Sequence, residues 1–318
     1  MYYLGIDLGG TNIATAVVNE QYEIMGRGKL KTRCPRPAEE IADDIAAACR
    51  MALEEAGLSL SDIAGVGAGI PGTVNKATGI IEYSNNLGFD QVPLQKMLEE
   101  RLGCDKVYLE NDANAAAYGE LLAGAGKGCE NMIAITLGTG VGSGIIVDGK
   151  IISGVNFAGG ELGHTVIVKD GVLCTCGRRG CWESYASATG LIRLTKEAME
   201  AHPESKMWEL AGSLEQVNGR TAFDAMRAGD PVGDKVAHDY MDYVACGLVN
   251  CINIFQPDII CIGGGISKEG ETLLALIRKY VEAERYSKHS AVQTQLKTAV
   301  LGNDAGIIGA AFLKKLYD

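Results

Sequence analysis

Basic residues are scarce in this 318-residue sequence: 29 Lys and Arg stand against 40 Asp and Glu, a net charge of −11. Nucleic acid and anionic membranes both require clustered Lys and Arg, so neither is expected as a partner. The shortage also means that a phosphate ligand has to be held by backbone N–H groups and a metal ion. No uninterrupted apolar run approaches the ~18 residues of a membrane span. The opening MYYLGIDLGG lacks the charged and apolar regions of a signal peptide and enters a strand at once. Aromatic residues make up only 6 %, while the apolar fraction is 47 % and glycines number 42. That composition builds a sizeable core of small residues, with helices packed closely on sheets. The ten cysteines show no regular disulfide framework, which fits a reducing cytoplasm. Length suggests two domains, and with no low-complexity linker between them a wide interface is expected.

What is present alternates between strand and helix signals. Strands are predicted at Tyr2–Asp7, Ile13–Val18, Ile63–Ile70, Lys106–Leu109, Ile133–Leu137, Gly144–Val147 and Asp258–Ile262. Helices are predicted at Pro37–Glu55 (stopped by Gly57), Pro93–Leu102, Asn111–Leu122, Val232–Phe255, Glu271–Glu284 and Ala305–Leu316. Asp148–Gly149 reads as a two-residue hairpin turn. The class is α/β with mixed sheets. One internal echo stands out. Leu8–Gly9 and Leu137–Gly138 each end an apolar strand, enter a Gly/Thr turn and return as a second apolar strand. Two such hairpins suggest a duplicated fold with a ligand between the halves.

Glycines 138, 140, 142 and 144 recur at every second position, the period of an extended chain turning back. Without Cβ atoms, backbone N–H groups can approach an anion closely. The turn Gly9–Gly10–Thr11–Asn12 offers the same device next to Asp7, a carboxylate able to hold hydrated Mg²⁺. Either loop alone reads as an ordinary turn; the two together, with Gly263–Gly264–Gly265, favour a nucleotide. Two decoys fail on context. Gly67–Gly72 fits G-x-G-x-x-G after a strand, but the following TVNKATG holds no helix. AGAGKG at 123–128 resembles a P-loop, but Lys127 follows a helix rather than a strand.

The densest chemical signal is ELGHTVIVKDGVLCTCGRRGCWE, residues 161–183. Cys174, Cys176 and Cys181 with His164 supply the three thiolates and one imidazole that close a tetrahedral structural zinc site. Reduced cysteines in a glycine-rich loop, or a disulfide, are the alternative readings. Glu161 and Glu183 bracket the four ligands, so a metal that stiffens the segment also positions two carboxylates. At Glu110-Asn111-Asp112 a strand meets a helix. Asn111 or Asp112 can serve as a helix cap. Asp112 can also project into the region where α/β folds bind ligands and take a proton from a hydroxyl attacking a phosphoryl group.

Asp7-Leu-Gly-Gly-Thr11, Glu110-Asn-Asp112, Leu137-Gly-Thr-Gly-Val-Gly-Ser-Gly-Ile145, Glu161-Leu-Gly-His164 and Cys174-Thr-Cys-Gly-Arg-Arg-Gly-Cys-Trp-Glu183 occur in one order. Together they resemble the ROK family of bacterial sugar kinases and sugar-responsive repressors, and most of all its bacterial glucokinases. The resemblance spans nearly the whole chain. It implies an actin/hexokinase-like (ribonuclease H-like) ATPase fold, duplicated, with two domains and an interdomain cleft. A small domain is expected at 1–111 plus 304–318 and a larger, zinc-bearing one at 112–303. The resemblance makes Asp112 the general base toward a sugar hydroxyl, the 6-OH first. It puts Asn86, Asn111, Asp112, Glu161, His164 and Glu183 at sugar-contacting positions. Asp7, Gly9, Gly10, Thr11 and Asn12, with Gly138, Thr139, Gly140 and Gly142, match the phosphate loops, and Gly263, Gly264 and Gly265 the adenosine segment. Asn12 stands where many members carry Lys, and Phe89 where many carry Trp.

The activity so implied is ATP-dependent phosphorylation of a hexose, glucose to glucose 6-phosphate, in a cytoplasmic homo-oligomer, dimer or tetramer, using ATP, Mg²⁺ and Zn²⁺. An N-acetylhexosamine kinase (ManNAc or GlcNAc) shares the motifs, and a non-catalytic sugar- or nucleotide-binding regulator is a third reading. The repressor branch carries an added helix-turn-helix ahead of the first ATPase strand. This sequence starts at that strand, so DNA binding is not expected.

Overall fold

A computed structural model describes residues 1–318. Thirteen strands form three sheets. The first contains β1 (Tyr2–Leu8), β2 (Asn12–Asn19), β3 (Ile24–Lys31), β4 (Ile63–Ile70) and β8 (Val107–Asn111), in the order β3-β2-β1-β4-β8. Between β4 and β8 in the chain, β5 (Thr73–Asn75), β6 (Ile80–Ser84) and β7 (Phe89–Val92) make a small antiparallel sheet. The third contains β9 (Met132–Leu137), β10 (Val141–Val147), β11 (Lys150–Ile151), β12 (Ile259–Gly263) and β13 (Gln295–Thr298), in the order β11-β10-β9-β12-β13. Both five-stranded sheets therefore run edge hairpin, central strand, then two later strands. The echo between the two glycine hairpins reflects this repeated topology.

The helices are α1 (Ala38–Ala56), α2 (Leu94–Leu102), α3 (Asp112–Ala123), α4 (Glu183–Ala186), α5 (Ala188–Ala201), α6 (Met207–Ala211), α7 (Thr221–Arg227), α8 (Pro231–Phe255), α9 (Glu271–Glu284), α10 (Ala305–Ala311) and α11 (Leu313–Tyr317). None is long and apolar enough to cross a membrane. The single helix expected at 305–316 is broken at Phe312. Its buried ring sits against Tyr3 and Tyr22, with centroids at 4.6 and 4.8 Å, and its amide bonds Gly309 three residues back.

The chain divides into two compact units, one of Met1–Ala134, Gly144–Gly160 and Val300–Asp318, the other of Ile135–Ser143 and Glu161–Ala299. In the first unit β1 is buried on both faces. Leu4, Ile6 and Leu8 join Ile41, Ile45 and Cys49 of α1 in one core cluster. On the opposite face Gly5 and Gly67 admit the backbone of α10, where a Cβ would come within 2.1 Å of the Ile307 and Ala310 carbonyls. The glycines of the G-x-G-x-x-G decoy thus serve helix packing. Helix α3, expected in the larger domain at 112–303, lies in this unit because small residues let it press on α10: a Cβ at Gly309 would meet the Ala115 carbonyl at 1.7 Å. In the second unit α8 starts at an Asp230 cap followed by Pro231 and carries Gly247, on which the fully buried Trp182 ring lies.

Candidate active site

The expected site residues fall into two groups, one per unit. In the first, Asp7 and Asn111 stand at the carboxyl ends of β1 and β8, parallel strands flanking β4 through the pairs Asp7↔Gly69 and Ile70↔Asn111. Asn111 is the cap of α3: its Oδ1 accepts from Ala113 N at 2.9 Å and Asn114 N at 3.2 Å, and its Nδ2 donates to the Gly72 carbonyl at 3.1 Å. The capping role and a place at the strand end hold together, which leaves Asp112 in the first turn, its Oδ1 accepting from Ala113 N at 2.9 Å and its carboxylate also bonded by its own amide and the Asn111 side chain. Burial pushes the Asp112 carboxyl up from its usual range, against the lowering pull of those hydrogen bonds. Asp7 is pushed up to about 6, first by burial and then by the facing Asp112 charge. These two partly buried carboxylates, the charge of Asp112 raising Asp7, form a place short of positive charge. Its chemistry fits a hydrated Mg²⁺ on Asp7.

The turn between β1 and β2 is closed by Gly9 N to Asn12 O at 2.9 Å and tied to the next strand by Thr32 Oγ1 to Gly9 O at 2.6 Å. Asn86, exposed, lies against this turn, its Cβ within 3.6 Å of where a Gly10 Cβ would stand; adjacent Asn85 faces Tyr83 instead. The turn itself holds no lysine, but a cation from the neighbouring strand reaches it. Lys31 Nζ donates to Asn12 Oδ1 at 2.9 Å, because β2 and β3 pair Asn12 with Lys31.

In the second unit, Gly138 N bonds Gly140 O at 3.0 Å to form the glycine turn. Three attachments hold it from α4 and α5: Ala188 N to Gly138 O at 2.8 Å, Thr189 Oγ1 to Thr139 O at 2.8 Å, and Val141 N to Glu183 Oε2 at 2.9 Å. Gly140 admits the Glu183 carboxylate, which a Cβ would meet at 2.3 Å. Gly264, at φ +88°, sits on the end of β9, where a Cβ would strike the Leu137 carbonyl at 2.3 Å. The 263–265 segment therefore adjoins the glycine turn.

His164, Cys174, Cys176 and Cys181 turn their ligand atoms inward, all within 4.8 Å of one another. His164 Nδ1 is 3.6 Å from Cys174 Sγ, and the Cys176 and Cys181 sulfurs are 3.6 Å apart. A tetrahedral zinc with bonds of ~2.3 Å to sulfur separates its ligands by about 3.8 Å, so the set fits the ion. None of these cysteines is in a disulfide. The Arg178 amide lowers the Cys176 thiol, whereas burial and the neighbouring thiols push Cys181 up to about 12; a central cation favours the thiolate at both. Trp182 anchors the loop through Nε1 to Tyr243 O at 2.9 Å. Next to it Glu183 Oε1 lies 3.8 Å from Cys174 Sγ, while Glu161 is exposed, one helical turn before His164. Leu162 N reaches Ser143 Oγ at 3.1 Å, and a Cβ at Gly163 would meet Val141 O at 2.4 Å. The ligand loop thus touches the glycine hairpin on both sides.

The sequence pattern of the ROK family matches residues 3–316. The chain belongs to the ROK family. A glucokinase of Halalkalibacterium halodurans is 39 % identical over 318 residues, covering 99 % of this chain and 95 % of the relative. The crystal structure of a ROK family glucokinase from Streptomyces griseus in complex with glucose and AMPPNP superposes with a TM-score of 0.79 at 39 % identity, covering 98 % of this chain and 99 % of that one. An N-acetylgalactosamine kinase of Shewanella is 30 % identical, covering 98 % of this chain and 96 % of the relative. The architecture is accordingly the hexokinase-like fold of ROK sugar kinases. Within this ROK chain, motif reading missed the grip of Ala188 and Thr189 on the glycine turn, since neither residue belongs to a motif. A cap signal at Ser187, whose side chain starts α5, was the available clue.

Proposed function

We propose that the chain is an ATP-dependent hexose kinase that converts glucose to glucose 6-phosphate. The observation that carries this reading is Asp112 at the mouth of β8 beside Asp7 and its glycine turn, in a chain 39 % identical over its length to a glucokinase. Asp112 takes the proton of the sugar 6-hydroxyl as its oxygen forms a bond to the γ-phosphorus. The bond from that phosphorus to the β–γ bridging oxygen breaks, and ADP leaves. Asp7 is the residue for Mg²⁺, which when bound neutralises phosphate charge. The Gly9–Asn12 and Gly138–Gly142 turns receive the phosphates through N–H groups other than those of Gly9, Gly138 and Val141, which are bonded internally, and Gly263–Gly265 borders the adenosine. Asn86, Asn111, Glu161, His164 and Glu183 contact sugar hydroxyls, His164 through Nε2 while Nδ1 faces the metal. Zinc on His164, Cys174, Cys176 and Cys181 is structural. Ten free cysteines suit a reducing cytoplasm.

A coupled ATP assay over a panel of hexoses and N-acetylhexosamines tests the reading, with glucose expected to give the highest kcat/KM. An N-acetylhexosamine substrate is the second reading, favoured by the 30 % identity to the Shewanella kinase; turnover of such sugars without turnover of glucose would establish it. Asp112→Asn is expected to keep glucose binding, measured by calorimetry, and to lose at least ~10³-fold of turnover. Near-normal turnover in that variant would refute Asp112 as base.

A further inference from the structure

Glu110 precedes the Asn111–Asp112 junction and has no part in the chemistry above, yet it is 2 % exposed. A buried carboxylate persists only where its charge is paired and its lone pairs are used. Here four donors converge. Oε1 accepts from Asn111 N and from Asn114 Nδ2, both at 2.9 Å. Oε2 accepts from Lys76 Nζ at 3.0 Å and from the Tyr317 hydroxyl. Lys76 also donates to Ser153 Oγ and to the Tyr317 oxygen, each at 2.8 Å, and lies 4.3 Å from the centroid of the Tyr317 ring. Two residues back on the same face of β8, the Tyr108 hydroxyl donates to Asp318 at 2.5 Å. The end of α11 and the residue after it, Asp318, are therefore fastened at two points along the strand that ends at the reactive junction.

The placement of the donors matters more than their number. Asn111 and Asn114 bracket Asp112 in the chain, so the Glu110 carboxylate fixes the backbone on one side of Asp112 and the first turn of α3 on the other. Lys76, from the turn after β5, and Tyr317 in turn prevent Glu110 from rotating. We propose that Glu110, Lys76 and Tyr317 are positioning residues for the proton-accepting Asp112, a clamp by which α11 and the small sheet fix the geometry of phosphoryl transfer. The inference rests on the kinase reading above. None of the three touches substrate, so their loss acts through the orientation of Asp112, and a displacement of the order of 1 Å costs about 10²-fold in rate.

The test is steady-state kinetics with glucose and ATP on the unmodified chain, Glu110→Gln, Lys76→Met, Lys76→Arg and Tyr317→Phe, together with their melting temperatures. The expected result is a kcat lowered about 10- to 100-fold in Glu110→Gln and Lys76→Met and about 3- to 10-fold in Tyr317→Phe, with KM for ATP within twofold throughout. Lys76→Arg should recover most of the loss. A role in stability alone predicts lower melting temperatures with unchanged kcat below the transition, and that result overturns the clamp while the kinase reading stands. If Glu110→Gln fails to fold, Tyr317→Phe, which keeps its ring over Lys76, decides by the same criterion. Absence of turnover by the unmodified chain with every sugar overturns the kinase reading and the clamp with it.

Discussion

Asp7 is a side chain whose charge costs the folded state stability. Its carboxyl titrates at about 6 in the folded chain against an ordinary value of 3.8, because it is buried and faces Asp112. The folded state thus binds the proton more tightly than the unfolded state, and stability falls as pH rises from about 4 through about 6. Above that window the full cost is present, up to about 3 kcal/mol. Asp7→Asn should therefore raise the melting temperature at pH 8 in metal-free buffer, leave it unchanged at pH 4, and abolish turnover. Equal melting at both pH values would show that the Asp7 charge is not strained. Lys31 is the second residue-scale case. Replacing it with Met removes the cation bonded to Asn12 and should raise KM for ATP by about 2- to 5-fold, with a weaker effect at high salt, since an exposed charge is screened. An unchanged KM at low salt would confine Lys31 to pairing with Asn12.

Among the elements, the long ones were legible in sequence and the short ones were not. Helix α1 follows its apolar spacing to the left-handed Gly57, and α9 spans the expected Glu271–Glu284, because burial of one face at a 3.6-residue period leaves a readable trace. Strands β5 to β7, of three to five residues, carry too few turns of the alternation to be seen, and the break at Phe312 depends on two tyrosines distant in sequence. The start of α5 is the functional case. Its Thr189 hydroxyl holds the Thr139 carbonyl, and Glu183, two residues after Cys181, holds the Val141 amide. Thr189→Val keeps the shape of the side chain and loses one such bond, worth about 0.5–1.5 kcal/mol. Affinity for an ATP analogue, measured by calorimetry, should fall by about 2- to 10-fold while glucose affinity stays within twofold. A loss on the glucose side alone would place the clamp with the sugar rather than with the phosphates.

At the scale of the whole chain, the duplication was visible because both hairpins end in glycine turns, and the two sheets do share one strand order. The motifs likewise named residues that gather within each unit: Asp7, Asn86, Asn111 and Asp112 in one, the glycine turn, Glu183 and the Cys/His loop in the other. Side-chain partners such as Lys31–Asn12 and Glu110–Tyr317 were not legible, since pairing across strands and over 207 residues of sequence leaves no local pattern. The Cys/His loop lets this organisation be tested in one measurement. It touches the glycine hairpin at Leu162 and Gly163 and again at Glu183, and it carries His164 and Glu161. Binding of the ion is coupled to the folding of its loop, so Cys176→Ser should release about one zinc per chain, read by elemental analysis. Glucose at a hundred times its Kd stabilises a folded chain by about 2.7 kcal/mol. In the zinc-free variant that thermal shift should shrink for glucose and for an ATP analogue alike, while far-ultraviolet circular dichroism stays near that of the unmodified chain, because the loop itself contributes little regular helix or strand. Full shifts for both ligands in a chain shown to lack zinc would mean that the metal holds neither the sugar residues nor the phosphate turn.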